Sequence, residues 1–458
     1  MEFVGREREL ALLREHLDRP GAGLFVLFGR RRIGKTALLQ RALEGRTRTA
    51  YFVATRSTAT EELRRLSDAL ASQWDVPLLA AQPLASPEAW MAFLEGVTGP
   101  AILALDEFPC LVESMPSLAG LLQAAWDGRL ARGNLKIVVL GSAVGMMEQS
   151  FLSPRSPLFG RRTGQLRLGP LGPEELSPAF PGPLVDRIEL AALFGGVPGY
   201  LQRLDPDDTL ARNLERRVLT PGEPLYEEVP FLLREELREP RVYQSVLAAI
   251  AAGSRKFGEI SSKVGLDRAN LSRYLSVLAD LGMVEREVPV TERQPDKSRK
   301  GLYRLADPFL DTWYAFVHGN RNDLERGRVE EVFANRVMPR LHHHLSRAVE
   351  PVLRRLFVES GLAAQAPFPI AMSGRHWSPT AEFDLVLLDE ERRRAFVAEV
   401  KWSREPVPRT LLDDLRGRVS READFTGMDV TLAIVSRSGF RGRRGTATDE
   451  RLIDLSSM

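Results

Sequence analysis

Leu24-Phe25-Val26-Leu27-Phe28-Gly29-Arg30-Arg31-Arg32-Ile33-Gly34-Lys35-Thr36-Ala37-Leu38-Leu39 is the stretch from which the rest of the chain can be read. The apolar run Leu24 to Phe28 is expected to be a buried strand, and Thr36 onward an amphipathic helix. Between them, Gly29-x4-Gly34-Lys35-Thr36 has the spacing of a phosphate-binding P-loop. Glycines let the backbone curl so that successive N–H groups face a phosphate, and the helix N-terminus adds partial positive charge. Lys35 can reach the β- and γ-phosphates, and the Thr36 hydroxyl can ligate Mg²⁺. ATP and Mg²⁺ are the expected cofactors. Gly29, Arg30, Arg31, Arg32, Ile33, Gly34, Lys35, Thr36 and Ala37 are expected to line the nucleotide.

Further strands carry the partners this loop needs. Ala101 to Leu105 is apolar and ends in Asp106-Glu107, the Walker B form. Asp106 is placed to hold the Mg²⁺ hydration shell, and Glu107 to polarise the attacking water. Leu135 to Leu140 is another buried strand, ending in Gly141-Ser142, where Ser142 can sense the γ-phosphate or serve as a plain turn residue. Strands alternating with helices predict a doubly wound parallel sheet, with ligands at the strand C-terminal ends. Arg161 and Arg162, just before the strand-like Gly164 to Leu168, are candidate arginine fingers or an ordinary surface pair.

Composition sets outer bounds. At 458 residues the chain is too long for a single core. A hydrophobic fraction of 44% with 27% charged residues is that of a folded soluble protein. The single cysteine, Cys110, excludes an intramolecular disulfide and a cysteine-based zinc site. No apolar run reaches membrane-spanning length and the first residues lack a signal peptide's apolar core, so a cytoplasmic protein without membrane contact is expected. A net charge of +2 neither favours nor excludes nucleic acid as a partner. With seven lysines against 56 arginines, Lys35 and Lys401, each at a motif position, stand out.

The expected organisation is an ATPase core over 1–170, a helical lid over 171–239, a winged helix-turn-helix over 240–306, a helical connector over 307–345 and a last α/β domain over 346–458. The lid is read as helical from Leu171 to about Glu239. In the winged helix, the third helix presents Arg268 and Arg273, and the wing carries Arg293, Lys297, Arg299 and Lys300. Arg268, Arg273, Lys297 and Lys300 are the expected DNA contacts, with a protein partner as the alternative. His342-His343-His344 cannot converge on one ion, because neighbours on a helix point about 100° apart. In the last domain Glu382 to Leu388 and Ala395 to Trp402 are expected strands around a charged turn. Asp384 and Glu399 then approach each other at an apolar sheet edge, with Lys401 on the same face as Glu399. Such a set suits a Mg²⁺ site with a lysine to position hydroxide; the alternative is a solvent-facing hairpin with cross-strand ion pairs.

These motifs in this order resemble archaeal-type P-loop ATPases of the STAND/AAA+-related group. Phe3-Val4-Gly5-Arg6-Glu7, Asp106-Glu107, Gly141-Ser142, Leu158-Phe159-Gly160-Arg161-Arg162, Gly196-Val197-Pro198 and Asp307-Pro308-Phe309-Leu310 carry the resemblance together with the P-loop. The tail resembles the restriction-endonuclease-like PD-(D/E)XK fold: Asp384 and Glu399-x-Lys401 match its motif, Glu350 its first-helix acid, and Phe383 replaces the motif's proline. The resemblance implies Asp384, Glu399 and Glu350 as metal ligands and Lys401 as a catalytic group. It further implies nucleotide-gated switching, often with oligomerisation. The expected function is an ATP-hydrolysing switch that controls DNA engagement, with Mg²⁺-dependent cleavage by the tail. The alternative is a non-cleaving regulator or signalling scaffold.

Overall fold

The computed structural model describes residues 3–237, 239–442 and 445–458. It resolves into two compact units, Gly5–Pro170 and a second made of Leu171–Met458 with the residues before Gly5. Among the described residues no helix is long and apolar enough to cross a membrane.

In the first unit, strands β1 (Gly23–Phe28), β2 (Thr49–Val53), β3 (Ala101–Asp106), β4 (Leu135–Gly141) and β5 (Gly164–Arg167) form one parallel sheet. Its order is β2-β3-β4-β1-β5. β1, β3 and β4 are interior strands buried along their full length, which is why each reads as an unbroken apolar run. The helix Lys35–Leu43 starts directly after β1 and its loop. Gly29 has φ 156°, and a Cβ there would overlap the Leu168 carbonyl oxygen, so the loop begins where only glycine fits. Edge strand β2 is fixed by Gln73, at the end of the helix Ala59–Gln73. Its side-chain oxygen accepts from the Tyr51 N–H at 2.8 Å, and its amide donates to the Tyr51 carbonyl at 3.1 Å.

The second unit opens differently from expectation. Residues 171–183 hold no helix, and the first helix is Leu184–Phe194. Prolines at 173, 178, 181 and 183 remove donors and fix φ throughout this stretch. After further helices that include Glu228–Glu236 come Pro240–Ala251, Phe257–Val264 and Arg268–Asp280, and then the antiparallel pair β6 (Val284–Glu287) and β7 (Leu302–Leu305). Asp267 caps the third helix, accepting the Asn270 N–H at 2.9 Å.

The helix Met338–Glu359 runs straight through the expected boundary at 345/346. Leu341, Leu345, Val349, Val352, Leu353 and Leu356 recur at helical spacing and are buried, so one apolar stripe spans both sides of the boundary. His344 on this stripe is a core residue whose Nε2 lies 3.2 Å from the Thr312 hydroxyl. Beyond the helix stand β8 (Met372–Trp377), β9 (Glu382–Leu388), β10 (Arg394–Lys401), the short β11 (Val407–Pro408), β12 (Asp429–Ser436), the short β13 (Phe440–Arg441) and β14 (Glu450–Asp454). The main sheet is mixed, in the order β14-β12-β10-β9-β8. β9 runs antiparallel to both β8 and β10, while β10, β12 and β14 are parallel. The expected sheet-edge position of Asp384 and Glu399 is therefore corrected: β9 and β10 are interior strands, because β8 and the β12–β14 pair flank them.

The base of the wing is fastened to this sheet. The Val290 N–H donates to the Arg375 carbonyl at 2.9 Å, and the Thr291 hydroxyl donates to Asp424 at 2.9 Å. The Thr291 hydroxyl also lies 3.0 Å from His376 Nδ1, while Arg392 donates to the carbonyls of Thr291 and Glu292 at 2.8 and 3.3 Å.

Candidate nucleotide and carboxylate sites

The loop after β1 already satisfies its lysine. Lys35 Nζ donates to the carbonyls of Gly29 at 2.8 Å and Arg30 at 3.2 Å, which curls the loop back on itself. Gly34, with φ 95°, makes the turn into the helix. Thr36, one residue into the helix, donates to Asp106 Oδ2 at 2.8 Å. A hydroxyl and a carboxylate side by side are hard oxygen donors of the kind Mg²⁺ takes, so these two residues fit the ion. Asp106 Oδ1 accepts from the Glu107 N–H at 2.9 Å. Glu107 itself has φ 53°, a left-handed turn at the end of β3. That turn sets its carboxylate against Ser142, whose hydroxyl lies 3.0 Å from both Glu107 oxygens. The strand order explains the meeting: β4 lies between β1 and β3, so the tip of β4 adjoins both.

Sequence reasoning misses Tyr51, whose hydroxyl donates to Asp106 Oδ2 at 2.6 Å. A signal for it exists: a tyrosine on the strand before an Asp-Glu strand, two residues from the strand's C-terminal end. Arg6 is a second such residue. Its guanidinium reaches the carbonyl of Ile33 in the loop at 3.4 Å and that of Gly169 at 2.5 Å. The candidate fingers are both engaged locally. Arg161 binds Asp127 in a fork at 2.8 to 3.2 Å, and Arg162 donates to the Phe151 carbonyl at 2.9 Å.

In the second unit, the β9–β10 ladder ends at Ala398↔Leu385, which sets Asp384 opposite Glu399 on one face. Asp384 Oδ2 accepts the Val400 N–H at 2.9 Å. Burial raises its pKa, and the nearby Glu399 raises it further. Lys401 Nζ is 3.1 Å from Glu399, and Arg418 holds the other Glu399 oxygen at 2.7 Å. Glu350 has its pKa pushed up to about 7 by burial and by Asp384. Arg375, largely buried, is the hub beside it: it lies 3.6 Å from Glu350 and 3.7 Å from Glu287 of β6, and it pairs with Glu382. Burial pushes Glu287 up, but Arg304, Arg354 and Arg375 outweigh it and hold its pKa at about 2.

Glu350 and Glu399, two of the three expected ligands with Asp384, are each drawn to side-chain cations. Among the described residues no three His, Cys, Asp or Glu side chains are gathered so as to hold a metal ion. Arg375 draws on Glu350 while Arg418 and Lys401 occupy Glu399, so the negative charge is already met by side-chain cations.

Arg268, Arg273, Lys297 and Lys300 are all exposed. Arg268 lies over the Phe257 ring, Arg273 is 3.9 Å from Glu239, and Lys300 is 3.7 Å from Glu292.

A P-loop leading from β1 into a helix, with an Asp-Glu strand two places away in a parallel sheet, defines a Walker-type ATPase domain. The chain belongs to the same family as the uncharacterized protein MJECL04 of Methanocaldococcus jannaschii, to which it is 32% identical over 405 residues, 87% of each chain. Residues 3–204 match the family described as an ATPase domain predominantly from Archaea. Residues 245–288 match the IclR helix-turn-helix domain, and 313–411 match Archaea bacterial proteins of unknown function. A second M. jannaschii protein, an uncharacterized ATP-binding protein, is 43% identical over 44 residues, covering 10% of this chain and 75% of that one. Among solved structures, the Walker-type ATPase PABY2304 of Pyrococcus abyssi is 24% identical with a TM-score of 0.50, over 68% of this chain and 96% of that chain. That likeness establishes the fold.

Proposed function

We propose that the protein is an ATP-binding and ATP-hydrolysing switch that controls DNA engagement by its winged helix and its carboxylate-bearing C-terminal sheet. The observation that carries this reading is the adjacency of Thr36 and Asp106 at 2.8 Å, with Glu107 turned to Ser142 next to them. Lys35 would exchange its loop carbonyls for phosphate oxygens. Thr36 and Asp106 would hold Mg²⁺, which supplies charge neutralisation on the β- and γ-phosphates. Glu107 would accept the proton of the attacking water, with Ser142 setting the direction of its carboxylate. Arg161 would serve a neighbouring copy's phosphate only after leaving Asp127. Lys35→Ala is expected to weaken ATP binding by about 10²-fold while the chain stays folded, since a charge-assisted phosphate contact is lost. Calorimetry on the folded variant checks this; unchanged affinity refutes the reading.

DNA engagement rests on the helix-turn-helix match and on the exposed cations of the third helix and wing. Replacing Arg268, Arg273, Lys297 and Lys300 together by alanine is expected to lower the slope of log affinity against log salt by about one unit per lost phosphate contact. An unaltered slope assigns the module to a protein partner instead.

In the tail, Asp384 and Glu399 would share a divalent cation with substrate phosphate oxygens, Arg418 giving up its hold and Lys401 orienting the water. The second reading, a regulator that does not cleave, is favoured by one observation: Arg375, Arg418 and Lys401 already neutralise these carboxylates.

A further inference from the structure

We propose that Tyr51 is a positioning residue for the cation-holding carboxylate of the nucleotide site, held in place by a backbone clamp from Gln73. The inference rests on the ATPase reading above and assigns a residue that reading leaves out. Asp106 has two oxygens with different duties. Oδ1 is tied to the Glu107 N–H at 2.9 Å, which links the carboxylate to the turn that aims Glu107. Oδ2 accepts two hydroxyls at once, Thr36 at 2.8 Å and Tyr51 at 2.6 Å. These two donors differ in what they can do when a cation arrives. The Thr36 hydroxyl offers its lone pair to the ion and must turn its proton away from Asp106. Tyr51 can stay where it is, leaving Asp106 with one fixed donor and one lone pair facing the ion's water shell.

The surroundings of Tyr51 are built for that constancy. The phenol is a hydroxyl donor, and the carboxylate oxygen it meets at 2.6 Å can only accept. β2 is an edge strand, and its outward backbone groups would ordinarily be left to water. At Tyr51 both are taken by one side chain, the Gln73 amide, at 2.8 and 3.1 Å. Trp74, the next residue, is buried and donates from Nε1 to the Ile102 carbonyl of β3 at 3.3 Å, which anchors the clamp to the neighbouring strand. Hydrogen-bond partners of ligating groups fix their orientation and basicity, and their loss typically costs about 10- to 100-fold in metal affinity.

The test measures how ATP binding depends on Mg²⁺, by calorimetry or a fluorescent ATP analogue, with no turnover involved. Tyr51→Phe is expected to raise the Mg²⁺ concentration that half-maximally strengthens ATP binding by about 10-fold. Binding in EDTA is expected to remain at the wild-type level. An equal Mg²⁺ dependence in wild type and variant overturns the inference. So does a loss of affinity that is the same with and without Mg²⁺, which marks a structural role only. If the phenylalanine variant does not fold, the same titration on Gln73→Leu decides by the same criteria. Wild-type protein whose ATP affinity ignores Mg²⁺ overturns the ATPase reading itself, a result distinct from a Tyr51-specific failure.

Discussion

Glu107→Gln is expected to keep ATP bound and to slow its hydrolysis by about 10²-fold or more. The amide has the carboxylate's shape, and its oxygen can still accept the Ser142 hydroxyl, now 3.0 Å from both carboxylate oxygens. What it lacks is the negative charge that draws a proton from water. The left-handed turn at φ 53° would persist, because it belongs to the backbone between β3 and the helix Phe108–Ser114. Single-turnover measurements with labelled ATP, alongside equilibrium binding, separate the two effects. Hydrolysis at the wild-type rate would remove Glu107 from the role of base and leave Ser142 as a turn residue.

Asp384→Ala is expected to abolish Mg²⁺- or Mn²⁺-dependent DNA cleavage and to leave ATP hydrolysis near the wild-type level. The two carboxylate sites lie in different compact units, each with its own hydrophobic core, and changes at separate sites act independently. Lys401→Ala is expected to behave alike, because it removes the ammonium 3.1 Å from Glu399. Linear, nicked, single-stranded and supercoiled DNA, each with ATP, ADP and no nucleotide, provide the assay. Wild-type protein that leaves every form intact decides for the non-cleaving regulator.

Where the sequence can be read and where it cannot follows from the range of the forces involved. β1, β3 and β4 are legible because burial on both faces demands continuous apolar runs, and the residues closing each run fall at the sheet's C-terminal ends. The third helix of the winged domain announces itself by Asp267 at its cap and by Leu271, Tyr274, Leu275 and Leu278 on one face. The loss of helix over 171–183 is also legible, in prolines that the helical expectation underweights. Other features depend on pairing between distant segments. That Tyr51 reaches Asp106 requires the register Tyr51↔Ala104, and nothing local specifies it. That Arg375 would meet Glu287, Glu350 and Glu382 requires three elements to close around one guanidinium. In a chain with 56 arginines, spacing alone cannot tell such a hub from a solvated side chain.

The fastening of the wing's base to the C-terminal sheet has a consequence for how this protein can diverge. Val290, Thr291 and Glu292 are spoken for by Arg375, Asp424 and Arg392, and Val290 sits against Gly374, where a side chain would crowd it. A winged helix grafted from an unrelated protein would arrive without these partners and strand their donors and acceptors. The outer wing, Arg293 to Lys300, is exposed at most positions and can change in charge at little cost to that seam. Relatives could therefore trade one DNA preference for another at the wing tip while keeping the seam at its root, so that recognition drifts and architecture does not.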